Sequence, residues 1–312
     1  MSTISSAPAS GTIHGSAAPS IGSASVGTYA HPEVLVDVAW AKANLTNPSV
    51  KFVEVDVDTK AYDVGHIPRA VALNWQTELQ DQVRRDIIGR DQFEELLSRK
   101  GIANHDTVVL YGDNNNWFAA YAFWLFKHYG HEDVRLLNGG RVKWLAGESL
   151  PLTPERPNIQ PTRYRVVGVN ESLRARLLDV IEVARGEPGY RKANLVDVRS
   201  VDEFTGKVIA PPGLTETAQR AGHVPGAASV PWAKAVNADG TFKSFVELKR
   251  LYLEEAHVNP EKPTIAYCRI GERSSHTWFV LKYLLGLPHV RNYDGSWTEY
   301  GSVIGVPIER SA

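Results

Sequence analysis

The segment TIAYCRIGERSSHTWFVLKYLLG, residues 264–286, carries Cys268, the only cysteine in 312 residues. The thiol stands between a short apolar run and a turn holding Arg269, Gly271 and Arg273. The run TIAYC has the β-branched, apolar character of a buried parallel strand. Beyond the turn, Trp278, Val280, Leu281, Leu284 and Leu285 recur at helical spacing. The segment therefore reads strand, polar loop, helix. Serine is a preferred N-cap, so the helix is predicted to start near Ser274 or Ser275.

The same unit is written earlier in the chain. GHIPRAVALNW (65–75) matches GHVPGAASVPW (222–232) at an offset of 157 residues. Downstream, TVVLYGDNNNWFAAYAFWLFKHYG (107–130) answers 264–286, with Trp117, Tyr121, Trp124 and Leu125 at helical spacing. Each unit closes on a Gly-containing turn with aromatic neighbours, LLNGGRVKW (136–144) and NYDGSWTEY (292–300). By the 157-residue offset Tyr111 falls in the place of Cys268, followed by GDNNN without an arginine. Matching FVEVDVD (52–58) to NLVDVRS (194–200) sets Asp56 against Asp197 and Asp58 against Arg199. One half carries the reactive residues and the other reads as scaffold.

Strands alternating with helices imply an α/β fold: two tandem duplicated domains, each a mostly parallel sheet flanked by helices on both faces. The predicted organisation is a tail over 1–29, an inactive domain over 30–150, a Pro-rich linker over 151–164 and a catalytic domain over 165–312. The tail is Ser/Ala/Gly-rich and has no Lys or Arg, so it reads as disordered rather than as a secretory or transit signal. No window approaches the roughly 20 apolar residues that span a bilayer. A single cysteine suits a reducing compartment, and the expected location is cytoplasmic, away from membranes. Lys and Arg number 34 against 35 Asp and Glu, which argues against nucleic acid as a partner.

In open α/β sheets, ligands bind beyond the carboxyl ends of the strands. The Cys268 loop lies there, turning backbone N–H groups inward at the positive end of a helix, with Arg269 and Arg273 adding full charges. These effects predict a thiol pKa below its ordinary value and attraction of a small dianion. His66 and His223 recur in both halves and are assigned structural hydrogen bonds; His128 and His131 fall at a helix end and are assigned to capping. No phosphate-loop, dinucleotide-binding or zinc-helix motif occurs, so no cofactor or metal is expected.

The duplicated units, the GHIPRA and GHVPGA boxes and the CRIGERSS loop resemble a two-domain rhodanese, a thiosulfate sulfurtransferase of the bacterial type with this loop. The likeness covers the chain from about residue 30 to its end, and CRIGERSSHTWFVL with NYDGSWTEYGS is its specific part. It implies that Cys268 accepts a sulfane sulfur as a persulfide and that Arg273 and Arg199, with Arg269, bind the substrate anion. Ile270, Gly271, Glu272, Ser274 and Ser275 complete the active-site loop. The implied donor is thiosulfate and the implied acceptor is cyanide, thioredoxin or a dithiol. Three rivals stand beside it. A cysteine phosphatase needs five residues between Cys and Arg, and CRIGER has four. A 3-mercaptopyruvate sulfurtransferase places a second arginine where EFTG (203–206) has none. A persulfide carrier or redox sensor would keep the cysteine but leave the arginines without a clear purpose. The insertion GKVIAPPGLTETAQRA (206–221) is expected to overhang the site.

Overall fold

A computed structural model describes residues 28–186, 193–213 and 216–310. Apart from Thr28 and Tyr29, the tail predicted over 1–29 lies outside them, as do residues 214–215 of the insertion. The first half builds a five-stranded, wholly parallel sheet in the order β1 (Leu35–Val36), β5 (Val134–Leu137), β4 (Thr107–Tyr111), β2 (Val50–Asp56), β3 (Val71–Asn74). The second repeats it with four strands, β9 (Val290–Tyr293), β8 (Thr264–Tyr267), β6 (Asn194–Asp197) and β7 (Ala228–Ser229). At the edge where β1 pairs with β5, the second half has a single parallel bridge, Arg174 to Asn292. Helices cover both sheets, giving the expected pair of α/β units. The apolar strands answer to this: β4 and β8 are buried along almost their whole length, as parallel strands covered on both faces must be.

The halves share one core. Helix Trp117–His128 is apolar nearly all round, the composition of a helix buried on every side. It packs against helix Glu272–Phe279, its counterpart from the second unit, and one apolar cluster runs through both halves. Phe123 is its centre, edge-on to Phe279 at 4.9 Å and to Tyr283 at 5.2 Å. Burying such a ring contributes roughly 1.5–3 kcal/mol, and several do so here. The segment after residue 150 stays with the first half: Thr153 exchanges backbone hydrogen bonds with His66, and Val166 donates to Glu94. In the second half His223 and Glu309 make the same exchange. Each histidine also stacks on an aromatic ring, Tyr62 or Phe204, with ring centres 3.6 Å apart. Its Nδ1 meets that same residue's carbonyl at 2.8 Å. Identical roles in both halves are structural ones.

Candidate active site

Cys268 follows the last residue of β8, at the carboxyl edge of the second sheet. Its backbone N–H donates to the Ser296 hydroxyl at 3.0 Å, which fixes the start of the loop. The loop then doubles back through Gly271, whose φ of +103° and approach to Asp294 (an added Cβ would sit 2.9 Å from its Cα) exclude any side chain. This turn aims the Gly271 N–H at Sγ, 3.1 Å away. Helix Glu272–Phe279 begins two residues earlier than predicted. Ser274 and Ser275 do not cap it by the expected route; both hydroxyls donate back to the Gly271 carbonyl, at 3.1 and 2.7 Å. Ile270 packs into the apolar cluster that also takes in the cysteine. The sulfur is fully buried, with Glu272 Oε2 at 3.4 Å and Ser296 Oγ at 3.9 Å.

Burial reverses the expectation for the thiol. Loss of solvent pushes the Cys268 pKa up, and the Glu272 carboxylate pushes the same way; the Arg273 guanidinium and Ser274 donors oppose them without prevailing. The sequence places Arg269 and Arg273 beside the sulfur but does not show the carboxylates that occupy Arg273 and Arg199. Arg273 makes a two-pronged pair with Glu203 at 3.0 and 3.1 Å and touches Glu272 at 3.6 Å. Arg199, fully buried, holds Asp197 through Nε and Nη2 and donates to the Gly222 carbonyl at 2.7 Å, its plane over the Trp297 ring. Arg269 is buried as well but meets no carboxylate; its guanidinium donates to the Glu216 carbonyl.

Strand register corrects the matching of the halves. Val53 pairs with Val71 and Leu110, while Val196 pairs with Ala228 and Ala266. Hence Glu54, not Asp56, answers Asp197; Asp56, not Asp58, answers Arg199; and Tyr111 answers Tyr267. Both tyrosine hydroxyls accept a backbone N–H at 3.1 Å, from Ile67 and from Val224. The residue in the cysteine's place is therefore Gly112, where an added Cβ would lie 2.3 Å from the Val55 carbonyl oxygen. No side chain fits there, so the first half has no nucleophile in the cysteine's place. Its guanidinium comes from the far end of the unit: Arg141 reaches Glu54 and the Gly65 carbonyl as Arg199 reaches Asp197 and Gly222.

Among the described residues no cation makes an ion pair with the buried Asp56, and burial raises its pKa to about 8 against the weaker pull of Arg141. A folded-state pKa above the unfolded value near 3.8 means that stability is fullest below pH 4 and is lost as pH rises towards 8. Asp56→Asn keeps an acceptor for the Asp113 N–H. It should raise Tm at pH 8 by at least about 4 °C and leave it unchanged at pH 3.5, as checked by calorimetry.

Three contributors to the site escaped the sequence reading. Glu203 and Asp294 are distant in sequence, and nothing local marks them. Ser296 could have been found: it adopts φ +52° where the first half has Gly140 at +54°, a costly conformation for a side-chain-bearing residue. Among the described residues, no group of three His, Cys, Asp or Glu side chains is arranged to hold a metal ion.

The model of the rhodanese-like domain matches residues 37–147 and 182–302. A provisionally named thiosulfate sulfurtransferase of Saccharopolyspora erythraea is 60% identical over 279 residues, covering 89% of this chain and 96% of that protein. The sulfur carrier protein TtuD of Thermus thermophilus is 55% identical over 284 residues, covering 90% and 98%. The crystal structure of the 3-mercaptopyruvate sulfotransferase SseA from Escherichia coli shares the fold, with a TM-score of 0.71 at 24% identity over 85% of this chain and 98% of that one. With its paired parallel sheets and a lone cysteine at the carboxyl edge of the second, the chain belongs to the rhodanese-like family, of which it carries two domains.

Proposed function

We propose that the protein is a thiosulfate sulfurtransferase working through a Cys268 persulfide, its catalytic domain spanning 165–312 and its inactive one 30–150. The observation that carries this reading is the Gly271 N–H, 3.1 Å from the only sulfur nucleophile in the chain and preorganised to receive negative charge. In the resting site the thiol donates to Glu272, and the thiolate forms on loss of that proton to solvent. Arg273 and the loop donors stabilise the thiolate against the Glu272 carboxylate beside it. The thiolate attacks the outer sulfur of thiosulfate; the new S–S bond forms as the old one breaks, and sulfite leaves with the electron pair. Cyanide or a thiol then removes the outer sulfur of Cys–S–S⁻. Arg273 acts electrostatically, and Arg199 positions β6 against Gly222. No cofactor or metal takes part in these steps, and the lone free thiol suits a cytoplasmic location.

The likeness to TtuD favours a second reading, in which the same persulfide is delivered to a protein acceptor. Thiocyanate formation from cyanide, measured with thiosulfate and separately with 3-mercaptopyruvate, tests the donor. Preference for mercaptopyruvate would overturn the donor assignment, and silence with both would leave the carrier.

The buried thiol also sets a pH dependence. Because burial and Glu272 hold its pKa above the ordinary value, kcat/KM for thiosulfate should rise towards alkaline pH along a limb displaced upward. Glu272→Gln should move that limb to lower pH. A limb that stays in place would separate Glu272 from the sulfur's ionisation.

A further inference from the structure

The guanidinium groups around the loop fall into two kinds. Arg273, Arg199 and Arg174 are committed to buried carboxylates, Glu203, Asp197 and Asp294 respectively. Arg269 is not: it is 7% exposed and, among the described residues, its guanidinium meets only the Glu216 carbonyl, with no partner for Nε. A second such group arrives from the opposite half. Arg85 places Nε 2.5 Å from Glu216 Oε1 as an ion pair, yet neither Nε nor Nη2, both buried, has a hydrogen-bond partner among the described residues. Thr298 adds a third donor; its N–H binds the Arg269 carbonyl at 3.0 Å, and its hydroxyl is buried and unpartnered. Arg85, Glu216, Gly295 and Thr298 line one cavity of about 520 Å³ between the halves. Gly295 precedes Ser296, the hydroxyl that holds the Cys268 backbone N–H.

The presentation of Arg85 is fixed. Asp81 accepts from the Val83 and Arg84 N–H groups through its side chain and from Arg85 through its carbonyl, and Arg85 itself sits at φ +59°. Other acids along the cavity are engaged elsewhere: Asp86 and Asp294 with Arg174, Glu299 with the Tyr293 hydroxyl. Among the described residues Glu216 is the one carboxylate that meets Arg85, and its side chain is 38% exposed there.

We propose that Arg85, Arg269 and Thr298 form the binding site for the oxyanion end of the sulfur donor, with the Glu216 carboxylate holding the place until the donor displaces it. This rests on the sulfurtransferase reading and names its donor site. A guanidinium that attracts a carboxylate attracts a sulfonate by the same charge, its fork of donors still open to it, and a dianion competes well against a single carboxylate charge. The half without a nucleophile thereby supplies a specificity-determining side chain.

The test uses the full-length protein with thiosulfate. Arg85→Gln should raise KM for thiosulfate about tenfold, with kcat falling far less, and Arg85→Lys should recover part of the loss. Glu216→Gln removes the competing charge and should lower KM by about threefold. If KM in both Arg85→Gln and Glu216→Gln stays within about twofold of wild type, the proposal is wrong. Calorimetric titration of thiosulfate into Cys268→Ser, with and without Arg85→Gln, gives a readout that needs no turnover. Weaker binding on loss of Arg85 supports the site and equal binding overturns it. Absence of turnover by the wild type would instead count against the sulfurtransferase reading, leaving the titration to decide the site.

Discussion

Cys268→Ser is expected to abolish sulfur transfer from thiosulfate while leaving the fold and Tm in place. The chain has no other thiol to substitute, and a serine hydroxyl can neither ionise at this site nor form a persulfide. Loss of a nucleophile that forms a covalent intermediate costs about 10³-fold or more in kcat. The substitution is close to isosteric, and the hydroxyl keeps a donor towards Glu272 and an acceptor for the Gly271 N–H, so stability should change by no more than about 1 kcal/mol. Thiocyanate assays beside thermal melts check both parts. Turnover above a few per cent of wild type would remove the persulfide from the mechanism.

The second large effect concerns Arg273. Seen in sequence, its loss weakens substrate binding; in the structure, it strands a carboxylate. Glu203 is buried, its pKa held below the ordinary value by its hydrogen bonds with Arg273 against the upward push of burial. Arg273→Ala should therefore destabilise the protein by about 3–5 kcal/mol, in addition to slowing persulfide formation. Urea denaturation measures the first and persulfide loading the second. Combining Arg273→Met with Glu203→Leu removes both charges and should return most of the stability while activity stays low. Recovery of activity in the double variant would assign Arg273 a structural role alone.

The duplication and the parallel sheets were legible because both rest on local pattern: apolar runs of strand length, helical spacing after them, and boxes repeated in one order. The candidate loop at the strand's carboxyl end was legible because Cys268, Gly271 and Arg273 lie within six consecutive residues. Charge balance was not, since it depends on partners brought together by folding. Glu203 lies 70 residues from Arg273, and Asp294 is 120 from Arg174. The predicted low thiol pKa failed for the same reason: sequence shows the arginines but neither their carboxylates nor the complete burial of the sulfur. A single residue of length difference between β3 and β4, against β7 and β8, hid the cysteine's counterpart, and a two-residue slip in matching β2 to β6 hid those of Asp197 and Arg199. Only strand register sets Gly112 against Cys268 and lets Arg141 stand in for Arg199. The serine-capped helix start was wrong because Gly271, at φ +103°, opens the helix earlier.

Intact-mass measurement of the protein after exposure to thiosulfate, with cyanide added afterwards, tests the central claim most directly. The account predicts a gain of one sulfur atom, located on the peptide containing Cys268, lost on adding cyanide and never formed in Cys268→Ser. Thiocyanate production by a protein whose mass never changes would contradict it, because sulfur would then pass from donor to acceptor without resting on the chain.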